Sequence, residues 1–171
     1  MSGPILSLDA EQSCTLINET LSAHDDAIDA ITTHTVRRRR LPQAAGTNRA
    51  QIQRQATLIR FLSITESFST ERLLAEMNTI MSTVGHPGAH KMREGAHDNA
   101  IRSWSAMQTA YHSWLGIPKG TWTTIIELTN ARNAVAHGSG QLTWLQQRDN
   151  RAKLEEKLYR HLITLDDNRI I

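Results

Sequence analysis

Thr121 to Gly138 reads TWTTIIELTNARNAVAHG, and the way this stretch folds decides what the rest of the chain must supply. As a helix over about residues 121–137 it places Trp122, Ile125, Ile126 and Thr129 on one face at spacings of three and four, the period of a helix side that packs against others. Asn133 and His137 continue that face. An amide and an imidazole on a core-facing line need polar partners or water, and a site that holds water and a substrate is one way to supply them. Arg132 stands beside the pair. At about 100° per residue it lies about 140° round the axis from His137, so only a long side chain could share a target with the imidazole. A guanidinium offers a planar fork matched to two phosphate oxygens, where lysine would offer a point charge. Phosphate is the expected ligand class.

Gly138 suits the left-handed turn that follows a helix, which puts His137 in the last turn. Histidine is the side chain best placed to act as general acid or base near neutrality. The chemistry expected of Arg132, Asn133 and His137 is phosphodiester cleavage without a metal. His137 moves protons to or from a 2′-hydroxyl or the leaving oxygen, and Arg132 stabilises the pentacoordinate phosphorane. One histidine cannot readily be acid and base at once, and a symmetric dimer that faces two copies of the motif supplies both.

Arg132-Asn133-Ala134-Val135-Ala136-His137, followed by Gly138, resembles the motif of the HEPN superfamily of small helical domains: an arginine, four to six residues and a histidine near a helix end, commonly with a polar residue directly after the arginine. Arg54 to Met77, RQATLIRFLSITESFSTERLLAEM, resembles the long helix with a central acid, here Glu66, that precedes the motif helix in the subgroup attached to defence loci. Gln141 to Ile171 is similar to that subgroup's final helix and strand-like end. The resemblance spans residues 48–171. It implies an all-α bundle and a metal-independent endoribonuclease that works as a homodimer in toxin–antitoxin, antiviral or RNA-processing systems. The RNA, tRNA among the candidates, is the expected partner, together with a cognate antitoxin or a defence-complex subunit. Other members of the superfamily are inactive scaffolds, and a non-catalytic RNA- or nucleotide-binding subunit is the alternative.

With 171 residues, one domain over 1–171 is the simplest organisation. A hydrophobic content of 39% is ordinary for a soluble chain, and no apolar run approaches the roughly 18 residues that would span a bilayer. MSGPILSLDAEQS lacks the basic start and apolar core of a secretion signal. The one cysteine, Cys14, permits no intrachain disulfide, and a reducing cytoplasm fits. Of 19 basic residues 15 are arginine, a bias that either gripped anions or a GC-rich genome would produce.

Leu8 to Arg40 reads as one long helix, with Asp9 and Gln12 as a capping box and Cys14, Ile17, Leu21, His24, Ile28 and Ile31 as a narrow stripe for a neighbouring helix. It ends in Arg37, Arg38, Arg39 and Arg40, a cationic tail on a helix C-terminus or a patch that holds an RNA backbone without reading its sequence. After a turn at Leu41–Gly46, Thr47 or Asn48 caps a second long helix towards Val84. Glu66 on it is either an ordinary acid or a support for the active site.

Gly85 to Asn99, with its glycines, proline and three histidines, reads as a loop with room for one helical turn. His86, His90 and His97 raise a metal reading, but Pro87 and Gly88 interrupt the helix that would group them and no cysteine completes a set. No metal or other cofactor is expected. Asp98 or Asn99 caps a third helix whose face carries Ile101, Trp104, Tyr111 and Trp114. Beyond the motif, Ser139 and Gly140 are small enough to admit a phosphate backbone. Thr143 with Gln146 caps a last helix, which Asp149 and Asn150 could interrupt, and LITLDDNRII suits a tiny hairpin or one strand. The architecture expected is an all-α bundle of four to five helices with short connections. The plainest competing account of the motif gives Arg132 to helix carbonyls or to an acid such as Glu127.

Overall fold

The computed structural model describes residues 7–37, 49–84, 87–138, 141–148, 151–161, 163, 165–166 and 169–170. Its elements in order are α1 (Leu8–Arg37), α2 (Arg49–Met81), α3 (Pro87–Ala100), α4 (Trp104–Leu115), a 3-10 turn (Lys119–Trp122), α5 (Thr123–Gly138), α6 (Trp144–Arg148), α7 (Arg151–Tyr159), β1 (Leu165–Asp166) and β2 (Arg169–Ile170). This is an all-α helical bundle. The two short strands pair antiparallel, Leu165 with Ile170 and Asp166 with Arg169. No helix among the described residues is long and apolar enough to cross a membrane.

α1 packs along α2. The seam runs through Ile17, Thr20, His24, Ile28 and Ile31, while Cys14 and Leu21 of the expected stripe face solvent. The seam is polar at its centre: His24 Nδ1 lies 2.9 Å from Thr57 Oγ1, and Arg60 Nε donates to Thr20 Oγ1 at 3.0 Å. The helix starts one cap earlier than Asp9, because Ser7 Oγ accepts from the Ala10 amide at 3.3 Å.

Between α2 and α4 the structure corrects the sequence reading. The stretch expected to be a loop is helix α3, and Pro87 opens it. A proline in the first helical turn gives up no bond, since its missing N–H had no partner there, and its φ is already helical. The helix then ends at Ala100, so neither Asp98 nor Asn99 caps the next one. Ser103 does, its hydroxyl accepting from the Ala106 amide at 3.1 Å. α4 closes at Gly116, whose φ of 69° is the left-handed conformation that a Cβ would disfavour. The last helix is also divided, into α6 and α7. These two changes make seven helices among the described residues, where four to five were expected.

Two apolar clusters hold the bundle. The first gathers Leu73 and Met77 of α2, Ala100 of α3, Trp104, Met107, Ala110 and Tyr111 of α4, and Trp122. Its centre is aromatic, with the Trp122 ring 4.7 Å from Tyr111 and 6.1 Å from Trp104, both tilted. The second gathers Ala131 and Ala134 of α5, Leu142, Leu154 and Leu158 of α7, and Ile170 of β2, with Leu58 of α2 against it. The strand pair is fastened to α2 as well, where Gln51 Nε2 donates to the Ile170 carbonyl at 2.6 Å.

Tyr111 shows what burial does to a polar tip. Its hydroxyl donates to the Ser69 carbonyl at 2.7 Å, and burial pushes its pKa from 10.0 up to about 12. An unfolded chain loses this proton at the ordinary value. Between about pH 10 and 12 the unfolded state therefore binds fewer protons, and stability falls with rising pH by up to about 1.4 kcal/mol per unit. Below that window the contribution is fully present. Tyr111→Phe should cost about 1 kcal/mol at neutral pH through the lost hydrogen bond and should flatten this alkaline slope. Urea midpoints of both proteins from neutral to alkaline pH check it, and parallel slopes would refute it.

Candidate functional site

α5 is covered on two different sides along its length, and this decides where the motif residues sit. Its first half, through Ile125 and Ile126, packs with Trp122 on the aromatic cluster. Its second half buries Ala131 and Ala134 completely in the other cluster. Ala131 is about 120° or more round the axis from Ile125, Ile126 and Thr129, so the buried side changes near the middle of the helix. The face that begins at Trp122 does continue through Asn133 and His137, but no member of the aromatic cluster covers it there. His137 is exposed, and Asn133 and Arg132 are half-buried. The expectation that Asn133 and His137 finish a buried stripe is thus corrected, because the aromatic cluster ends before it reaches them.

The polar cluster is open and partly organised. Arg132 Nη1 donates to Asn133 Oδ1 at 3.3 Å, so the guanidinium leans across Asn133, which lies between it and His137 round the helix. That bond occupies the amide oxygen and leaves the Asn133 Nδ2 hydrogens without a partner among the described residues. His137 likewise has no hydrogen bond or ion pair among the described residues. Arg132 and His137 are not bonded to each other. The arrangement offers an anion a guanidinium fork, an amide donor and an imidazole on one stretch of helix.

Glu127 is not Arg132's partner. Only 6% exposed, it lies on the side of Ala131 and Ala134, where its Oε2 accepts from His161 Nε2 at 3.0 Å and its Oε1 is 3.8 Å from Arg160 Nη1. A buried carboxylate must be paired, and the chain after α7 supplies both partners. Nothing local in the sequence announces this pairing, since His161 follows Glu127 by 34 positions.

The other sequence candidates are less connected. Glu66 is half-buried on α2, and among the described residues no hydrogen bond or ion pair joins it to Arg132, Asn133 or His137. Arg37 ends α1, while Arg38, Arg39, Arg40 and Ser139 lie outside the described residues. His86 lies outside them too. His97, on α3, stands 3.7 Å from Asp98 Oδ1, with its Nε2 buried and unpartnered. Among the described residues no three histidines, cysteines or carboxylates stand close enough to hold a metal ion.

One neighbour of the motif was not foreseen. Thr143 and Gln146 do form a reciprocal cap at the start of α6: the Thr143 amide donates to Gln146 Oε1 at 2.9 Å, and the Gln146 amide to Thr143 Oγ1 at 3.4 Å. The same glutamine's Nε2 donates to the Asn130 carbonyl at 2.7 Å. This bond docks α6 against α5 within one turn of Asn133.

The class that fold and site together define is an all-α bundle carrying an open Arg-Asn-His cluster on one helix. No family model matches the chain, nor does any curated protein or solved structure.

Proposed function

We propose that the chain is a metal-independent endoribonuclease of the HEPN kind, acting as a homodimer. The observation that carries this reading is the cluster on α5, in which the Arg132 guanidinium is turned to Asn133 and His137 stands exposed. In the reaction the 2′-hydroxyl of the RNA attacks the adjacent phosphorus while one histidine takes its proton. Arg132 and the Asn133 amide hold the phosphorane's oxygens, and the 5′-oxygen leaves with a proton from a second histidine. The products are a 2′,3′-cyclic phosphate and a 5′-hydroxyl. The second His137 comes from the partner copy, whose motif helix meets that of the first. A free ribonuclease damages its host, so the enzyme acts as a toxin or antiviral effector under an antitoxin or trigger.

The non-catalytic alternative, a scaffold or RNA-binding subunit, draws on the same openness: Arg132 and His137 are not bonded to each other, and an exposed helix end also suits a partner. One experiment separates the two. Purified protein is incubated with total cellular RNA and tRNA in EDTA, beside DNA of matching sequence, and fragment ends are analysed. Cyclic-phosphate ends on RNA, with DNA intact for want of a 2′-hydroxyl, are expected. RNA that remains uncut with the cognate trigger present would leave the scaffold reading.

A further inference from the structure

Large apolar side chains in helices are ordinarily turned inward, yet Trp144, the first residue of α6, is 70% exposed. It is not idle there. The Arg148 guanidinium lies over its ring at 5.0 Å from the centroid, one helical turn on, so one face of the indole is backed by a cation. The remainder of the ring faces solvent.

Its position is fixed by the bond described above. Gln146, two residues on, is anchored to the Asn130 carbonyl at 2.7 Å. On α5, Asn130, Asn133 and His137 fall within about 60° of one another round the axis. Asn130 is also about 40° from Ala134, so the α6 anchor sits at the border between the buried alanine side of α5 and the side that carries the imidazole.

The charge of this region points to one kind of occupant. From Asn130 to Lys157 the chain has Arg132, Arg148, Arg151, Lys153 and Lys157 as cations against Asp149, Glu155 and Glu156 as acids, a balance on the cationic side. A flat exposed aromatic set among cations is the combination that holds single-stranded nucleic acid: the ring stacks a base, whichever base it is, and the cations follow the backbone.

We propose that Trp144, backed by Arg148, is a stacking platform for an unpaired base of RNA beside the Arg132-Asn133-His137 cluster. The platform rests on the ribonuclease reading for its purpose but not for its test. It positions a nucleotide next to the phosphate to be cut, and so favours RNA whose bases are free, as in loops and single strands, over paired helices.

The test uses full-length His137→Ala protein, which should leave RNA intact, and a fluorescently labelled single-stranded oligoribonucleotide of mixed sequence in EDTA. Adding Trp144→Ala is expected to weaken binding by about tenfold or more, and Trp144→Phe, which keeps a ring, by about threefold or less. In the otherwise wild-type protein Trp144→Ala should raise KM while kcat is kept. Equal affinity with and without the indole overturns the proposal, as does failure of all these proteins to bind the RNA. An unchanged affinity with an altered assembly mass would instead make Trp144, with exposed Leu145 beside it in sequence, a protein contact. The two readings fail separately. Binding through Trp144 without any cleavage removes the nuclease and leaves the platform, whereas cleavage indifferent to Trp144 does the reverse.

Discussion

His137→Ala is expected to lower the single-turnover rate of RNA cleavage by about a hundredfold or more, the usual scale for loss of a general acid–base group. Arg132→Ala should cost about as much, since it removes charge stabilisation from the transition state. What makes the prediction sharp is the expected indifference of the fold. His137 is exposed and has no partner among the described residues, and Arg132 is tied down by one long bond to its sequence neighbour. Substitutions of this kind ordinarily shift stability by no more than about 0.5 kcal/mol. Arg132→Lys keeps the charge but loses the fork, and should fall between wild type and alanine. Cleavage rates and thermal melts on the same preparations check this. If the residues serve only to close the helix, the pattern inverts: melting falls by the equivalent of about 1 kcal/mol and no catalytic rate depends on them.

The second large effect lies in the aromatic cluster. Trp122→Ala should destabilise the protein by about 3–5 kcal/mol, as the loss of a large buried ring does when its surroundings cannot collapse. Trp104 and Tyr111 both border the space it would vacate. Trp122→Phe should cost far less, on the order of 1 kcal/mol, for a reason specific to this site. The Trp122 Nε1–H is buried without an acceptor among the described residues, so phenylalanine removes an unsatisfied donor along with the lost area. Urea unfolding with an unchanged m-value measures both. A phenylalanine variant as damaged as the alanine one would mean that the indole nitrogen has a partner after all, such as a buried water.

The long helices were legible because their signals are local and strong. α2 carries apolar residues at helical spacing over nine turns' worth of chain, and the Thr143–Gln146 cap could be named from two side chains three positions apart. α3 was hidden by its own composition. PGAHKMREGAHDNA has almost no apolar period, and it docks through the alanines Ala96 and Ala100, whose small side chains hardly register in a hydrophobic pattern. Pro87 then looked like an end when it was a beginning, since proline at a helix start and proline beyond a helix stop are the same letter.

The candidate site is brought together only in part, since Glu66 makes no bond to the α5 residues among the described residues, and its setting was misjudged. Arg132, Asn133 and His137 could be picked out by chemistry, but a helical wheel assumes one buried face. α5 has two, and the second is marked only by Ala131 and Ala134. Glu127 is buried because His161 and Arg160 come to it from the far end of α7, a pairing that exists only once the bundle has formed. Trp144 was not singled out in the sequence at all, because its exposure depends on how Gln146 holds α6 against α5.

The hydrogen bonds from Gln51 and Gln55 to the Ile170 carbonyl join positions 119 and 115 residues apart. Closing so long a loop brings a large entropic cost before the contact returns anything. The aromatic cluster, by contrast, draws mainly on neighbours from α3 to the start of α5 and can assemble locally. The costly closure is therefore that of the strand pair onto α2 alone, since Ala131 and Ala134 also meet Leu154 and Leu158 of the neighbouring α7, contacts as local as those of the aromatic cluster.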